Sequence, residues 1–241
     1  MKRKNDPFIV ALDIAETEAL LRMATVLRGE VETVKIGLEA YTVTGPDIII
    51  TLREMGFRVF ADLKLHDIPN TVGGAVRALV RKGASMITIH CSGGRAMLEA
   101  AVRAAGEEAP AAGTARPLLL GVTVLTSLDE AGAAEIGWEN GIGHAVSSLA
   151  RLAVESGLDG VVASPREALR LREDLGQGAV IVTPGIRARD EDAQDQARTA
   201  SAGGALASGA DFLVVGRPVT ARQDPVKALR ELRREAGIQG A

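Results

Sequence analysis

The sequence predicts a single closed (β/α)8 barrel. Short apolar runs alternate with longer amphipathic segments along the whole chain, which is typical of a parallel sheet with crossover helices. Eight such units can be counted, and the length of 241 residues suits a barrel of about 250 residues. The composition, 46% hydrophobic but 2% aromatic, predicts a large aliphatic core. Because no composition shift or linker divides the chain, we expect one domain over residues 1–241.

The predicted strands are short runs rich in Val, Ile and Leu, at residues 8–12, 33–36, 58–65, 85–90, 118–124, 160–163, 180–183 and 212–215. The predicted helices lie between and after them, near residues 16–28, 44–55, 71–82, 94–106, 140–156, 165–175, 197–208 and 224–235. Asp224 before Pro225 marks the start of the last helix, since an acidic cap followed by proline suits a first turn. Pro69 cannot extend a ladder, so the third strand must end near His66.

Composition and charge exclude several classes of function. The net charge is −3, and the chain lacks the basic runs that track nucleic acid. No apolar segment is long enough to cross a bilayer, and the run at residues 8–12 is too short for a signal peptide. Cys91 is the single cysteine, which rules out an internal disulfide and a cysteine-based zinc site. We therefore expect a cytoplasmic protein without nucleic-acid or membrane partners.

The segment Asp62–Thr71 carries the densest group of polar side chains after an apolar run. Asp62 and Lys64 are two apart on a predicted strand and so point to the same side. Asp67 follows in the loop that Pro69 imposes. An acid and a base at a strand end predict either a catalytic pair or an ion pair that caps the strand.

Polar residues lie at or just past the carboxyl ends of several apolar runs, including this one. In a barrel these positions share the carboxyl-terminal rim, where active sites lie. A single polar strand end indicates only contact with water, but eight residues together favour a site. They are Asp13, Lys35, Asp62, Lys64, His90, Thr123, Thr126 and Arg217.

The turns after the seventh and eighth strands predict a phosphate site. They read Thr183–Arg187 and Val215–Pro218, where glycine allows backbone N–H groups to approach an anion and arginine binds phosphate oxygens. Barrels often bind phosphate at this location. The charged segment 187–196 between these turns is either a lid over phosphate, with Arg187 and Gln196 gripping the ligand from its two ends, or a solvated loop.

With these residues in place, the chain resembles the short, bacterial-type orotidine 5′-phosphate decarboxylases over almost its full length. Asp62–Thr71 is similar to the signature segment of that family. The accompanying motifs occur in the expected order: Ala11–Asp13, Val34–Gly37, Val122–Ser127, Pro184–Arg187, Asp195–Gln196 and Gly216–Pro218.

The resemblance implies a TIM barrel of the ribulose-phosphate-binding type that converts orotidine 5′-phosphate to UMP with no metal or cofactor. Lys64 is then the proton donor to pyrimidine C6, within a charged network that also contains Lys35, Asp62 and Asp67. The family shares its sites across a homodimer interface. The remaining implied roles are partner-site contacts for Asp67, Ile68 and Thr71, ribose contacts for Asp13 and Lys35, a pyrimidine contact for Thr126, and phosphate contacts for Arg187, Gln196, Gly216 and Arg217.

Two alternatives share parts of this pattern. Phosphosugar barrel enzymes such as 3-keto-gulonate 6-phosphate decarboxylase and hexulose phosphate synthase carry a similar Asp-x-Lys-x-x-Asp strand and use Mg²⁺. The run His66–Thr71 and Gln196 argue against them. A phosphate-binding barrel without catalysis is the second alternative, which Asp62 and Lys64 argue against. The sequence of the lid segment differs from the family pattern at Ala188–Arg189 and Thr199–Ala200. Neither His66 nor His90 is assigned a catalytic role.

Overall fold

A computed structural model describes residues 6–186 and 201–238. Within these residues eight parallel strands pair in sequence order, and β1 pairs with β8 to close the barrel. The predicted (β/α)8 fold is therefore confirmed. The strands are β1 Phe8–Ala11, β2 Thr33–Gly37, β3 Arg58–Leu65, β4 Met86–His90, β5 Leu118–Val122, β6 Gly160–Val162, β7 Val180–Thr183 and β8 Phe212–Val215.

The helices surround the barrel, and most lie where the amphipathic segments predicted them. They are α1 Thr17–Leu27, α2 Leu38–Thr44, α3 Ile48–Glu54, α4 Pro69–Lys82, α5 Arg95–Ala111, α6 Glu130–Glu135, α7 Ile142–Glu155, α8 Ala168–Leu175, α9 Ala202–Ala207, α10 Arg217–Thr220 and α11 Pro225–Glu235, with a 3-10 turn at Cys91–Gly93. Asp224 caps α11 as predicted, because its side chain accepts the Lys227 N–H. Pro218 lies in the first turn of α10.

Several helices differ from the predicted ones. The helix expected over 44–55 is observed as α3 and begins only at Ile48. The helix α2, over Leu38–Thr44, was not predicted, and it ends where Gly45 adopts a left-handed φ of 74° and Pro46 follows. The helix expected from residue 71 begins at Pro69, which occupies a first-turn position that needs no N–H. The short α6 was not predicted. The predicted helix 197–208 begins outside the described residues and is observed as α9.

The core has two layers. The larger layer lies between strands and helices, and it contains side chains such as Leu20, Ile49 and Leu98, all fully buried. The smaller layer comes from strand residues alone and so fills the barrel: Ile9, Ala11, Phe60, Met86, Leu120, Val182 and Val214. Because strand side chains alternate, the residues two positions further along face the same interior at the carboxyl-terminal rim. Among the described helices, none is long and apolar enough to span a membrane.

At the opposite, amino-terminal rim, the aspartates that precede β6 and β8 connect neighbouring strands by hydrogen bonds. Asp159, before β6, accepts the Leu119 N–H of β5 at 2.7 Å. Asp211, before β8, accepts the Ile181 N–H of β7 at 2.8 Å. The glycine two residues before each aspartate has a φ of 89° or 96°, which ends the preceding helix tightly. Arg172 adds an ion pair to Asp211 at 2.6 Å, so this rim links neighbouring strands through side chains.

Candidate active site

Four charged side chains of alternating sign form a continuous chain at the carboxyl-terminal rim. Lys35 Nζ lies 2.9 Å from Asp13 Oδ1 and 3.4 Å from Asp62 Oδ2. Lys64 Nζ donates to Asp62 Oδ1 at 2.9 Å. The structure therefore brings together Asp13, Lys35, Asp62 and Lys64, which sequence reasoning placed at the ends of three different strands.

The inner members of this chain are shielded from water and the outer members are open. The side chains of Lys35 and Asp62 are 9% and 13% exposed, whereas those of Asp13 and Lys64 are 48% and 31% exposed. Burial alone raises the pKa of Asp62, but the ammonium groups of Lys35 and Lys64 outweigh it, so this pKa lies below its ordinary value. Asp62 is therefore a fixed negative charge at neutral pH, beside an accessible lysine.

Lys64 occupies an irregularity of β3. The pairing with β4 runs regularly to Ala61 and Ile87, then resumes at Leu65 and Ile89. Lys64 has a φ of 51°, the one positive φ outside glycine among the described residues. Asp62 and Lys64 do point to the same side, as expected. The cause is a bulged backbone at Lys64 and not the simple alternation of side chains along a strand.

Asp67, Ile68 and Thr71 lie outside this charged chain. All three are exposed, and the Ile68 side chain is 65% exposed. Asp67 Oδ1 accepts the Ile68 N–H at 2.6 Å, and within residues 6–186 and 201–238 it forms no ion pair with Lys64. Thr71 is in the first turn of α4. These residues project from the rim of their own barrel.

The residues expected to bind phosphate and pyrimidine are only partly described. Gly216 immediately follows β8 and caps α10, and the exposed Arg217 is the first residue of that helix. Because β8 pairs with β1, this turn lies beside the strand that leads to Asp13. Thr126 is half-buried in the turn after β5. Arg187 and Gln196, together with the lid that they were expected to delimit, lie outside the described residues.

The two histidines near the charged chain contact each other. The ring centroids of His66 and His90 are 5.4 Å apart, with a 38° angle between the planes. Burial, His66 and Lys64 lower the pKa of His90, although Asp62 opposes the shift. His90 is thus neutral at physiological pH, which suits a packing role beside Lys64.

Two site residues were missed by sequence reasoning. Gly37 was quoted only as part of a motif, yet a Cβ there would lie 2.6 Å from Asp13 Oδ1 and 3.2 Å from Lys35 Nζ. Its lack of a side chain makes room for that ion pair.

The second missed residue is Thr88. It is fully buried, and its hydroxyl donates to Asp62 Oδ1 at 3.0 Å. A polar residue two positions after Met86, inside a buried strand, was the available signal.

The carboxylates of the site are held by cationic groups. Asp13 accepts hydrogen bonds from Lys35 at both oxygens, at 2.9 and 3.1 Å. In the part of the chain that the structure describes, no three His, Cys, Asp or Glu side chains are grouped to hold a metal ion. A ligand at this rim therefore meets ammonium hydrogens and carboxylate oxygens, which can bind hydroxyl groups and stabilise developing negative charge.

Comparisons with known proteins match almost the whole chain to one family. The family model described as orotidine 5′-phosphate decarboxylase / HUMPS family matches residues 6–232. An orotidine 5′-phosphate decarboxylase from Moorella thermoacetica is 49% identical over 231 residues, which are 95% of this chain and 92% of that protein. One from Paramagnetospirillum magneticum is 45% identical over 233 residues, covering 97% and 99% of the two chains.

A solved structure agrees in fold and in sequence. The crystal structure of orotidine 5′-phosphate decarboxylase from Lactobacillus acidophilus matches with a TM-score of 0.86 and 36% identity, and the match covers 96% of this chain and 99% of that one. The residues that the family model matches, 6–232, include Asp13, Lys35, Asp62 and Lys64. This chain belongs to the orotidine 5′-phosphate decarboxylase / HUMPS family.

Proposed function

We propose that this protein decarboxylates orotidine 5′-phosphate to UMP, the last step of de novo pyrimidine nucleotide synthesis, with no metal or organic cofactor. The observation that carries the proposal is the Lys35–Asp62–Lys64 chain, in which Lys64 Nζ contacts Asp62 Oδ1 at 2.9 Å. The relatives at 49% and 45% identity that bear this enzyme's name support the substrate.

Lys64 supplies the cation and the proton in this mechanism. When the bond from C6 to the carboxylate breaks, its electron pair remains on C6 and CO2 departs. The Lys64 ammonium stabilises that charge and donates a proton to C6, and the neutral amine then recovers a proton from water. Its side chain is 31% exposed, so the amine is accessible to both ligand and solvent.

Asp62 places a second negative charge beside the substrate carboxylate. Two unit charges 4 Å apart repel by about 4 kcal/mol at an effective dielectric constant of about 20. Departure of neutral CO2 removes this repulsion, so it is present in the bound substrate and absent after bond cleavage. Lys35 and Lys64 keep Asp62 ionised by lowering its pKa against the effect of burial.

The remaining rim residues orient the substrate. Asp13 and Lys35 hold the ribose hydroxyls, for which the 48% exposure of Asp13 provides access. Thr126 contacts the pyrimidine. Arg187, Gln196, Gly216 and Arg217 bind the phosphate, far from the reacting carbon, and this binding energy orients the pyrimidine over Lys64.

The active enzyme is a homodimer in this proposal, with Asp67, Ile68 and Thr71 contributing to the site of the partner subunit. Their exposure on one barrel supports the assignment. Large exposed apolar side chains also follow the carboxyl ends of β2 and β5, where Leu38 is 57% and Leu125 is 43% exposed. Apolar surface of this kind near a charged site favours a second chain as its cover.

We also assign the protein to the cytoplasm. Nucleotide precursors are made there, and the single cysteine of the chain suits a reducing compartment. Cys91 is buried, and burial raises its pKa to about 12, so the thiol is held in its unreactive protonated form.

The direct test is loss of orotidine 5′-phosphate absorbance on addition of chelator-treated protein, with UMP identified by chromatography. We expect turnover that added Mg²⁺ does not change, and none with Lys64→Ala. Absence of UMP from the wild-type protein contradicts the function. Activity that a chelator abolishes and Mg²⁺ restores assigns the site to a metal-dependent barrel enzyme instead.

A further inference from the structure

The irregularity of β3 is matched by one side chain on β4. Asp62, Leu63 and Lys64 lie between the paired positions Ala61 and Leu65, whereas β4 has only Thr88 between the corresponding partners. Backbone groups of β3 therefore lose their regular ladder partners over this stretch. A buried N–H that remains unpaired destabilises the fold, so a substitute acceptor is needed here.

The Thr88 hydroxyl is that acceptor. Thr88 Oγ1 accepts the backbone N–H of Lys64 at 2.9 Å, and it donates to Asp62 Oδ1 at 3.0 Å. A hydroxyl has one hydrogen to donate, and here the hydrogen goes to the carboxylate. Thr88 is 0% exposed, so water has no access from solvent to replace it. One oxygen atom thus joins the backbone of Lys64 to the side chain of Asp62.

The same carboxylate oxygen contacts the Lys64 ammonium. Asp62 Oδ1 accepts from Lys64 Nζ at 2.9 Å as well as from Thr88 Oγ1. The left-handed backbone of Lys64, at a φ of 51°, is unfavourable for a side-chain-bearing residue, and the hydrogen bond to Thr88 offsets part of that cost. Thr88 therefore fixes both ends of the reacting pair, the Lys64 backbone and the Asp62 carboxylate.

We infer that Thr88 is a positioning residue for decarboxylation, which holds the Lys64 ammonium and the Asp62 carboxylate in the geometry for proton transfer without contacting substrate. The inference rests on the proposed function. It assigns a role in the rate of the chemical step rather than in substrate affinity, because the ribose and phosphate contacts belong to other residues.

The central test compares Thr88→Val, which keeps the shape and removes the hydroxyl, with Thr88→Ser, which keeps the hydroxyl. We expect Thr88→Val to lower kcat by about 10²-fold, the loss typical of a misplaced catalytic group. The affinity for UMP, measured by calorimetry, should stay within about twofold, since the ribose and phosphate contacts remain. Thr88→Ser should restore most of kcat. The control is Thr33→Val, the same change at a buried strand threonine at the opposite end of the barrel.

The pH dependence gives a readout that a purely structural role would not move. The hydrogen bond from Thr88 contributes to the low pKa of Asp62, so its removal should shift the acidic limb of kcat/KM to higher pH. If Thr88→Val does not fold, the kcat of Thr88→Ser is compared with that of Thr88→Cys. The two side chains differ by one atom, and the thiol is the weaker hydrogen-bonding group. Thr88→Cys should then show the larger loss in kcat.

Three results would overturn the inference. These are wild-type kcat in Thr88→Val, equal kcat in the serine and cysteine variants, or a parallel loss of kcat and UMP affinity. Failure of the proposed function is distinguishable, because the wild-type protein would then produce no UMP. If the wild-type protein is active and Thr88→Val is equally active, only the role of Thr88 is rejected.

Discussion

Asp62 Oδ1 lies 2.9 Å from Lys64 Nζ, although the two residues belong to a stretch of β3 that does not follow regular pairing. The contact joins a largely buried carboxylate to an accessible ammonium group. Of the two lysines that contact this carboxylate, Lys64 is the more accessible, with its side chain 31% exposed against 9% for Lys35. In the proposed mechanism, the chemistry of the site therefore depends on this pair more than on any other contact.

Replacement of Lys64 by alanine should abolish decarboxylation while UMP still binds. In the proposed mechanism the change removes both the proton donor and the cation near C6, so we expect kcat to fall by about 10³-fold or more. Steady-state absorbance assays and calorimetry with UMP measure the two effects. The matched control is Lys82→Ala, at the end of α4, whose ammonium pairs with Asp47 away from the rim. Near-normal turnover of Lys64→Ala would rule out this mechanism.

A methyl group at Gly37 should disturb the ion pair between Asp13 and Lys35. Since a Cβ there would lie 2.6 Å from Asp13 Oδ1, we expect Gly37→Ala to lower kcat/KM by about 10–100-fold. The control is Gly106→Ala within α5, where a Cβ meets nothing within 4 Å. That variant should keep its activity and gain about 0.5–1 kcal/mol of stability. Unchanged kcat/KM in Gly37→Ala would show that the pair tolerates displacement.

The low pKa of Asp62 links its charge to stability at acidic pH. Burial opposes the shift, but Lys35 and Lys64 hold the pKa below the ordinary 3.8, so the folded protein binds this proton less readily than the unfolded chain. The resulting stabilisation is complete above the ordinary pKa and is lost as pH falls through the folded value. Urea unfolding should show the stability difference between wild type and Asp62→Asn shrinking below about pH 4. A constant difference down to pH 3 would contradict the linkage.

Mixing two inactive variants tests the proposed position of Asp67. If Asp67 acts across the interface, each site combines Lys64 of one subunit with Asp67 of the other. In a hybrid of Lys64→Ala and Asp67→Ala subunits, one site then carries both substitutions and the other carries neither. With free exchange, half of the dimers are hybrids, so about one quarter of all sites should be active. Native mass spectrometry verifies the hybrids, and the absorbance assay measures recovery. Verified hybrids without activity would assign Asp67 to its own subunit's site.

The rim opposite the site should affect stability and not catalysis. Arg172 donates to carbonyl groups of Gly176, Ala179 and Gly209 and to the Asp211 carboxylate, with its side chain 10% exposed. Because each of these four bonds contributes about 1 kcal/mol, Arg172→Ala should lower the unfolding free energy by about 4 kcal/mol at unchanged kcat. Arg22→Ala is the control, since its exposed pair with Glu18 contributes little. If Arg172→Ala lowered kcat without lowering the unfolding free energy, the separation between a stabilising rim and a catalytic rim would be contradicted.

The fold was predictable because its signals are local. Each strand of the barrel is a short apolar run, and the aspartate before α11 acts as the cap that its sequence indicates. The polar strand ends correctly located the rim where Asp13, Lys35, Asp62 and Lys64 meet. The helix α2 was not predicted, and the predicted helix over 44–55 began too early although Gly45 and Pro46 signalled a break there, because the apolar pattern of this segment concealed that signal.

The geometry of Lys64 was not predictable from β3 alone. A surplus of residues exists only relative to β4, so its signal lies in the pairing of two strands and not in either one. Thr88 was missed for the same reason, because its importance depends on which part of β3 lies opposite. Asp67, Ile68 and Thr71 retain their predicted roles as proposals, and Arg187 and Gln196 lie beyond the described residues.

The irregular stretch of β3 sets activity and regular backbone pairing in competition at the same positions. A chain that lost the surplus between Ala61 and Leu65 would regain an unbroken ladder with β4, yet it would no longer carry Asp62 and Lys64 in their present relation. Selection for a more stable third strand therefore acts against the reaction, and selection for the reaction preserves a defect. We expect stabilising substitutions in this enzyme to accumulate on the distant rim and the outer helices, where they leave that defect intact.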